Sequence, residues 1–173
     1  MYISPQVAID NGWIKGITDP EKQIQPNAID FTLDQLFSIK ADTPFIISEE
    51  AKSMRGGEKM EPEEGYWKLD GQKVFDGLSD LYVDLPEGIA CELIIRSTFN
   101  RNGVFLTSGL YDSGYKGNIG FAVHNPCGDT LITPGTRIGQ IKFVKADKAG
   151  KYKGGWNHED GEHWSDSKNG EKE

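Results

Sequence analysis

Ile95-Arg96-Ser97-Thr98-Phe99-Asn100-Arg101-Asn102-Gly103-Val104-Phe105-Leu106-Thr107-Ser108-Gly109-Leu110-Tyr111-Asp112-Ser113-Gly114-Tyr115-Lys116-Gly117 is the stretch on which the reading of this chain turns. Short apolar runs flank two polar turns closed by glycine. The first turn carries Arg96, Ser97 and Arg101 and closes at Gly103. The second carries Asp112 and Tyr115, with Gly114 between them. The sequence therefore predicts a β-protein that presents cations on one loop and a carboxylate on a neighbouring loop.

Working outward, further strands are predicted over 81–85, 89–95, 104–106, 119–123, 130–132 and 137–143. Turn signals separate them: Pro86-Glu87-Gly88, Ser113-Gly114, Asn125-Pro126-Cys127-Gly128 and Pro134-Gly135. Short strands at such spacing indicate an all-β sandwich or barrel. The 21 glycines fit that class better than a helical bundle. Residues 24–36 alternate apolar and polar side chains and predict a half-buried strand. Residues 3–16 predict a short N-terminal helix, started by Ser4-Pro5 and stopped at Gly16. Residues 49–65 lack periodicity and predict a mobile surface loop or arm. The expected organisation is one domain over residues 1–145 and a flexible tail over 146–173, in which Trp156 and Trp164 stand out.

A chain of 173 residues can bury one substantial core. Its formal net charge of −8 argues against a nucleic-acid-binding role. That balance leaves room for one positive pocket on an acidic surface. Two isolated cysteines, Cys91 and Cys127, are too few for a disulfide framework and point to a reducing, cytoplasmic setting. No apolar run is long enough to span a membrane, and no leader pattern opens the chain.

The candidate chemistry follows from residue types. Guanidinium groups at Arg96 and Arg101 can hold phosphate oxygens in bidentate fashion, with the Ser97 hydroxyl completing a cradle. Asp112 on a tight turn can orient and activate water. Tyr115 offers a flat ring to a sugar or base. Asp30 can hold a water of a hydrated magnesium ion or orient an arginine. Arg137 and Gln140 lie on an apolar strand. Each motif alone also has a plain reading: solvated arginines, an Asp turn bonded to its own backbone, or a buried paired carboxylate. Other chemistries lack their signatures. His124, His158 and His163 form no ligand set. Pro126-Cys127 is followed by Gly-Asp-Thr, so the second cysteine of a zinc deaminase is missing. There is no phosphate-binding glycine-lysine loop and no nucleophile elbow.

Together these motifs resemble the dUTPase and dCTP deaminase superfamily, in its order, over most of residues 24–156. Gln25-Pro26 through Asp30 resembles the first motif. Leu85-Pro86 followed by Arg96-Ser97, Arg101 and Gly103 resembles the second, in its deaminase-branch form. Asp112 through Gly117 resembles the third, and Gly135 through Gln140 the fourth. The resemblance implies a distorted, jelly-roll-like β-barrel, a homotrimer with active sites between subunits, and a pyrimidine deoxynucleoside triphosphate with Mg2+. Family deaminases carry a catalytic glutamate in the strand after the third motif; Ala122 stands there, and a methyl group moves no proton. Asp112 matches the water-activating aspartate of family dUTPases. The resemblance thus implies hydrolysis of dUTP to dUMP and pyrophosphate. Asp112 would position water, and Arg96, Ser97, Arg101, Arg137, Gln140 and Lys153 would contact substrate. Tyr115 would pack under the deoxyribose, and Trp156 would reach the base. Alternatives at this point are dCTP deamination with another base, alone or in a bifunctional dCTP deaminase/dUTPase, a catalytically weak nucleotide-binding regulator, and a different or modified pyrimidine triphosphate as substrate.

Overall fold

Alternation of apolar and polar side chains carries most of this chain into antiparallel strands. The computed structural model describes residues 1–48, 52–53, 55–147, 150–154 and 157. In chain order the elements are β1 (Tyr2–Ile3), α1 (Pro5–Asp10), β2 (Ile14–Lys15), α2 (Pro20–Gln23), β3 (Ile29–Ile39), β4 (Ile46–Ile47), β5 (Lys52–Ser53) and β6 (Gly57–Met60). Then come β7 (Trp67–Leu69), β8 (Lys73–Asp84), β9 (Ile89–Ile95), α3 (Ser97–Arg101), β10 (Phe105–Thr107), β11 (Lys116–Asn125), β12 (Thr130–Ile132) and β13 (Arg137–Lys145).

The main sheet has the order β1-β13-β3-β8-β11-β10, with β9 on β13, β6 on β3 and β2 on β8. Strand β3 joins its two halves. Ile29 to Thr32 pair with β13, and Leu33 to Ser38 pair with β8. The register slips between Leu33 and Gln35, and again on β13 between Arg137 and Gly139. Such bulges bend a strand and increase its twist, and here they curl the sheet into a half-barrel.

The concave side holds the core. Phe31, Leu36, Leu81, Ile119, Ile138, Ile141 and Phe143 are fully buried there. Phe31 and Phe121 stack at 5.2 Å between centroids, tilted by 44°. Gly139 is the condition of that packing: a Cβ there would lie 2.2 Å from Cζ of Phe31. No helix among the described residues is long and apolar enough to cross a membrane.

Several expectations change. The N-terminal helix begins at Pro5 as predicted but ends at Asp10, not Gly16. The Asn11 side chain donates to the Val7 carbonyl and closes it, and Ile14–Lys15 joins β8 instead. Strand β3 begins at Ile29 rather than residue 24, because Asp19-Pro20 caps a short helix ahead of it. β8 runs from Lys73, eight residues before the predicted start. The 49–65 arm lies partly outside the described residues; its described parts form β5 and β6, paired with β4 and β3. The Arg-Ser turn is the one-turn helix α3.

Candidate active site

Asp30 is the node of the first group. Its residue is 1% exposed. Cross-strand pairing sets Gln140 directly opposite it, and Gln140 Nε2 donates to Asp30 Oδ1 at 2.6 Å. Arg137 Nη1 donates to Oδ2 at 3.0 Å. Arg96 Nε lies 3.5 Å from the same oxygen. A second Arg96 bond, Nη1 to the Arg137 carbonyl at 3.0 Å, ties the two arginines together. Arg137 also donates to the Lys22 carbonyl. Buried Gln23 fixes the backbone beneath: its Oε1 accepts from Thr18 and Asp19 N–H, and its Nε2 donates to the Asp30 carbonyl. Burying a carboxylate without cations would cost several kcal/mol. Here two partly exposed guanidinium groups neutralise it, leaving a net positive face.

Both Asp30 oxygens accept from these side chains, which fits the arginine-orienting reading of Asp30. No group of three or more His, Cys, Asp or Glu among the described residues is placed to hold a metal. One N–H of Gln140 is used on Asp30, which ties Gln140 to the arginine anchor. Ser97 and Arg101 lie exposed on α3, beside Arg96.

The second group surrounds a pocket of about 360 Å³, lined by Asp76, Thr107 to Tyr111, Tyr115, Asn118, Gly120, Ala122 and Tyr152. Its floor is aromatic. Tyr115 is 7% exposed and stands 5.3 Å from Tyr111 and 5.8 Å from Tyr152, centroid to centroid. The phenols are anchored: Tyr115 donates to the Asn118 carbonyl and Tyr111 to the Gly120 carbonyl. Burial pushes both phenols well above the ordinary tyrosine range, so both stay neutral donors. Asp112 is the next residue after Tyr111, which lines the pocket. Its carboxylate is exposed, and among the described residues it has no hydrogen-bonding or ion-pair partner. Gly114 closes the turn at φ +84°, a left-handed conformation suited to glycine.

The tail meets this pocket. Tyr152 N–H donates to the Ser113 carbonyl, and its ring packs edge-on against Tyr115. Lys153 follows, exposed; Trp156 and Trp164 lie outside the described residues. A second cavity of about 700 Å³, around Gln72, Val74, Phe105 and His124, meets the first at Thr107. Although larger, it lacks the tyrosine floor.

The two groups stand apart in one chain. Cys91 and Tyr111 exchange backbone hydrogen bonds, which places Asp112 beside the start of β9. Arg96 follows the end of β9. Five residues at ~3.4 Å each set the two turns about 17 Å apart. Sequence reasoning found Tyr115, Asp112 and both arginines. It missed Asp76, Thr107, Asn118 and the seating of Tyr152. Asp76 lies between buried Phe75 and Gly77 on β8, where glycine and serine at the inward positions leave no apolar alternation to read.

With this geometry in view, known proteins give a consistent likeness. A family model described as dCTP deaminase-like matches residues 6–146. A relative from Methanopyrus kandleri, named a probable deoxyuridine 5'-triphosphate nucleotidohydrolase, is 30% identical over 78% of this chain and 87% of its own. The crystal structure of a 2'-deoxycytidine 5'-triphosphate deaminase from Agrobacterium tumefaciens superposes with a TM-score of 0.66 at 14% identity. That match covers 84% of this chain, which spans about half (48%) of the other. A Staphylococcus bacteriophage 80alpha dUTPase variant with dUpNHpp superposes with a TM-score of 0.53 at 17% identity, over 89% of this chain and 96% of the other. These low identities speak to the fold alone.

Proposed function

The chain belongs to the dCTP deaminase-like family, and we propose that within it this protein hydrolyses dUTP to dUMP and pyrophosphate. The observation that carries the reading is the exposed Asp112 carboxylate, without a partner among the described residues, one residue beyond Tyr111 of a tyrosine-floored pocket. A base at that point needs access to water and to the α-phosphorus, and Asp112 has both. The deoxyribose rests on Tyr115, whose anchored ring leaves little room for a 2′-hydroxyl. Asp112 takes the proton as water attacks the α-phosphorus in line. The bond from that phosphorus to the bridging oxygen breaks, and its electron pair leaves with pyrophosphate.

Arg96 and Arg137, held by Asp30, meet the triphosphate charge, with Ser97, Arg101 and Lys153 beside them. Because the Asp112 and Arg96 turns of one chain stand about 17 Å apart, the reading includes a homotrimer whose sites form between subunits. Closed symmetry brings the arginine turn of one copy to the Asp112 turn of the next. Magnesium belongs with the substrate here, carried on phosphate oxygens. Ala122 speaks against deamination, since its methyl group cannot take a proton from water.

Purified protein incubated with magnesium and dUTP is expected to release pyrophosphate. Asp112→Asn should lower that rate by ~10²–10⁴ while binding of dUpNHpp stays within a few-fold. Full activity in the variant would remove Asp112 from the mechanism.

A further inference from the structure

Gln23 is 2% exposed and turns both ends of its amide onto backbone groups. Its Oε1 accepts the Thr18 N–H at 2.8 Å and the Asp19 N–H at 2.9 Å. Its Nε2 donates to the Asp30 carbonyl at 3.2 Å. An amide at this depth needs partners, but α2 does not need the amide as a cap. The Asp19 carboxylate already accepts the Lys22 N–H at 3.3 Å. What the amide does is join two elements: one end holds the entry to α2, and the other holds β3 at Asp30. The Ile24–Ile29 bridge closes the loop between them, and Gln23 fixes the short helix upon that closed loop.

Arg137 is bracketed by the same two elements. Its Nη1 donates to the Lys22 carbonyl, next to Gln23, and to Asp30 Oδ2 at 3.0 Å. One nitrogen can serve both acceptors only while they keep a fixed separation. With Nη1 held, Nε and Nη2 of Arg137 make no hydrogen bond among the described residues. The side chain is 27% exposed. Nε–H and Nη2–H lie along one edge of the guanidinium plane. That edge is a fork that takes a phosphate through two parallel bonds.

We infer that Gln23 is a positioning residue for the phosphate-binding edge of Arg137. It touches no substrate; it holds the Lys22 carbonyl and the Asp30 carboxylate as one rigid bracket. This inference rests on the reading of Arg137 as a triphosphate contact. With the bracket loosened, ordering the guanidinium becomes a cost of binding. The loss falls on ligands that carry the β- and γ-phosphates. dUMP keeps the base, the sugar and the α-phosphate, and is spared.

The test uses Gln23→Met, similar in length and without a hydrogen-bonding amide, alone and combined with Arg137→Ala. Calorimetry with the intact chain reads binding of dUpNHpp, dUMP and inorganic tripolyphosphate. Gln23→Met is expected to weaken dUpNHpp and tripolyphosphate about 10-fold and to leave dUMP within about two-fold. In the Arg137→Ala background the same substitution should change neither triphosphate ligand, because the residue it acts through is gone. Unchanged binding overturns the inference. So do equal losses for dUMP and dUpNHpp, or a loss that persists undiminished without Arg137, since Gln23 then supports the fold in general. If the natural chain binds tripolyphosphate but not dUpNHpp, the proposed function fails and the tripolyphosphate cycle alone decides on Gln23. If it binds neither, both readings fall. Should Gln23→Met lack a cooperative melting transition, Gln23→Glu takes its place under the same outcomes. Its carboxylate keeps the bonds from Thr18 and Asp19 and loses the donor to the Asp30 carbonyl.

Discussion

At the residue scale, the arginine anchor and the exposed aspartate have opposite designs. Asp112 is exposed and, among the described residues, unpaired, which suits the proton-accepting role proposed for it. Asp30 is buried, and its two oxygens take up Gln140, Arg137 and Arg96. Its work is positional. Asp30→Ala is expected to destabilise the fold by about 3–5 kcal/mol, because it strands two partly buried guanidinium groups. Urea denaturation measures this; a loss below 1 kcal/mol would mean that solvent already satisfies the arginines. Sequence motifs identified these residues readily, because Arg, Asp and Gly are rare enough in such order to stand out. Motifs could not say which way a side chain turns. Whether Asp30 faces a cation or a guanidinium depends on the register that sets Gln140 opposite it, and register is a tertiary fact.

At the scale of elements, legibility followed local signal strength. β9 and β12 are predicted to the residue, since strong apolar runs there end at clear turns. The first half of β8 was not legible, because Asp76, Gly77, Ser79 and Asp80 break the apolar pattern. Their neighbours explain them. Gly77 makes room for the Phe121 ring, whose Cε2 would lie 2.6 Å from a Cβ there. Asp80 accepts the Thr32 N–H at 2.9 Å, helping to tie β3 to β8. Burial raises the Asp80 carboxyl above the ordinary aspartate range, outweighing that hydrogen bond, with the Asp34 charge adding to the rise. A carboxyl whose folded pKa exceeds its unfolded pKa stabilises the fold in acid and loses that contribution as pH rises through the folded value. Asp80→Asn keeps an acceptor for Thr32 and cannot ionise. It is therefore expected to melt higher than the natural chain at neutral pH, with the gap closing toward about pH 3. A gap independent of pH would show that the Asp80 charge is well solvated in the fold.

At the scale of the whole molecule, the distance between the two turns governs function. One chain holds Asp112, the proposed water-activating carboxylate, at one end of β9 and the arginine pair at the other, about 17 Å apart. A triphosphate bound with its α-phosphorus at Asp112 then draws its arginines from a second copy. Neither Arg96→Ala nor Asp112→Asn alone should turn over dUTP. Mixed in equal amounts and reassembled, the two variants are expected to regain activity. In a closed ring, about a quarter of the sites would pair an intact Asp112 with an intact Arg96 from the neighbour. Pyrophosphate release from the mixture, compared with each variant alone, measures this directly. A mixture as inactive as its components would place both groups of each site in one chain. The 17 Å would then have to be closed by movement of α3 or of the Asp112 turn. Recovery near a quarter of the natural rate would instead mean that the fold divides its chemistry between copies, so that assembly itself completes the site.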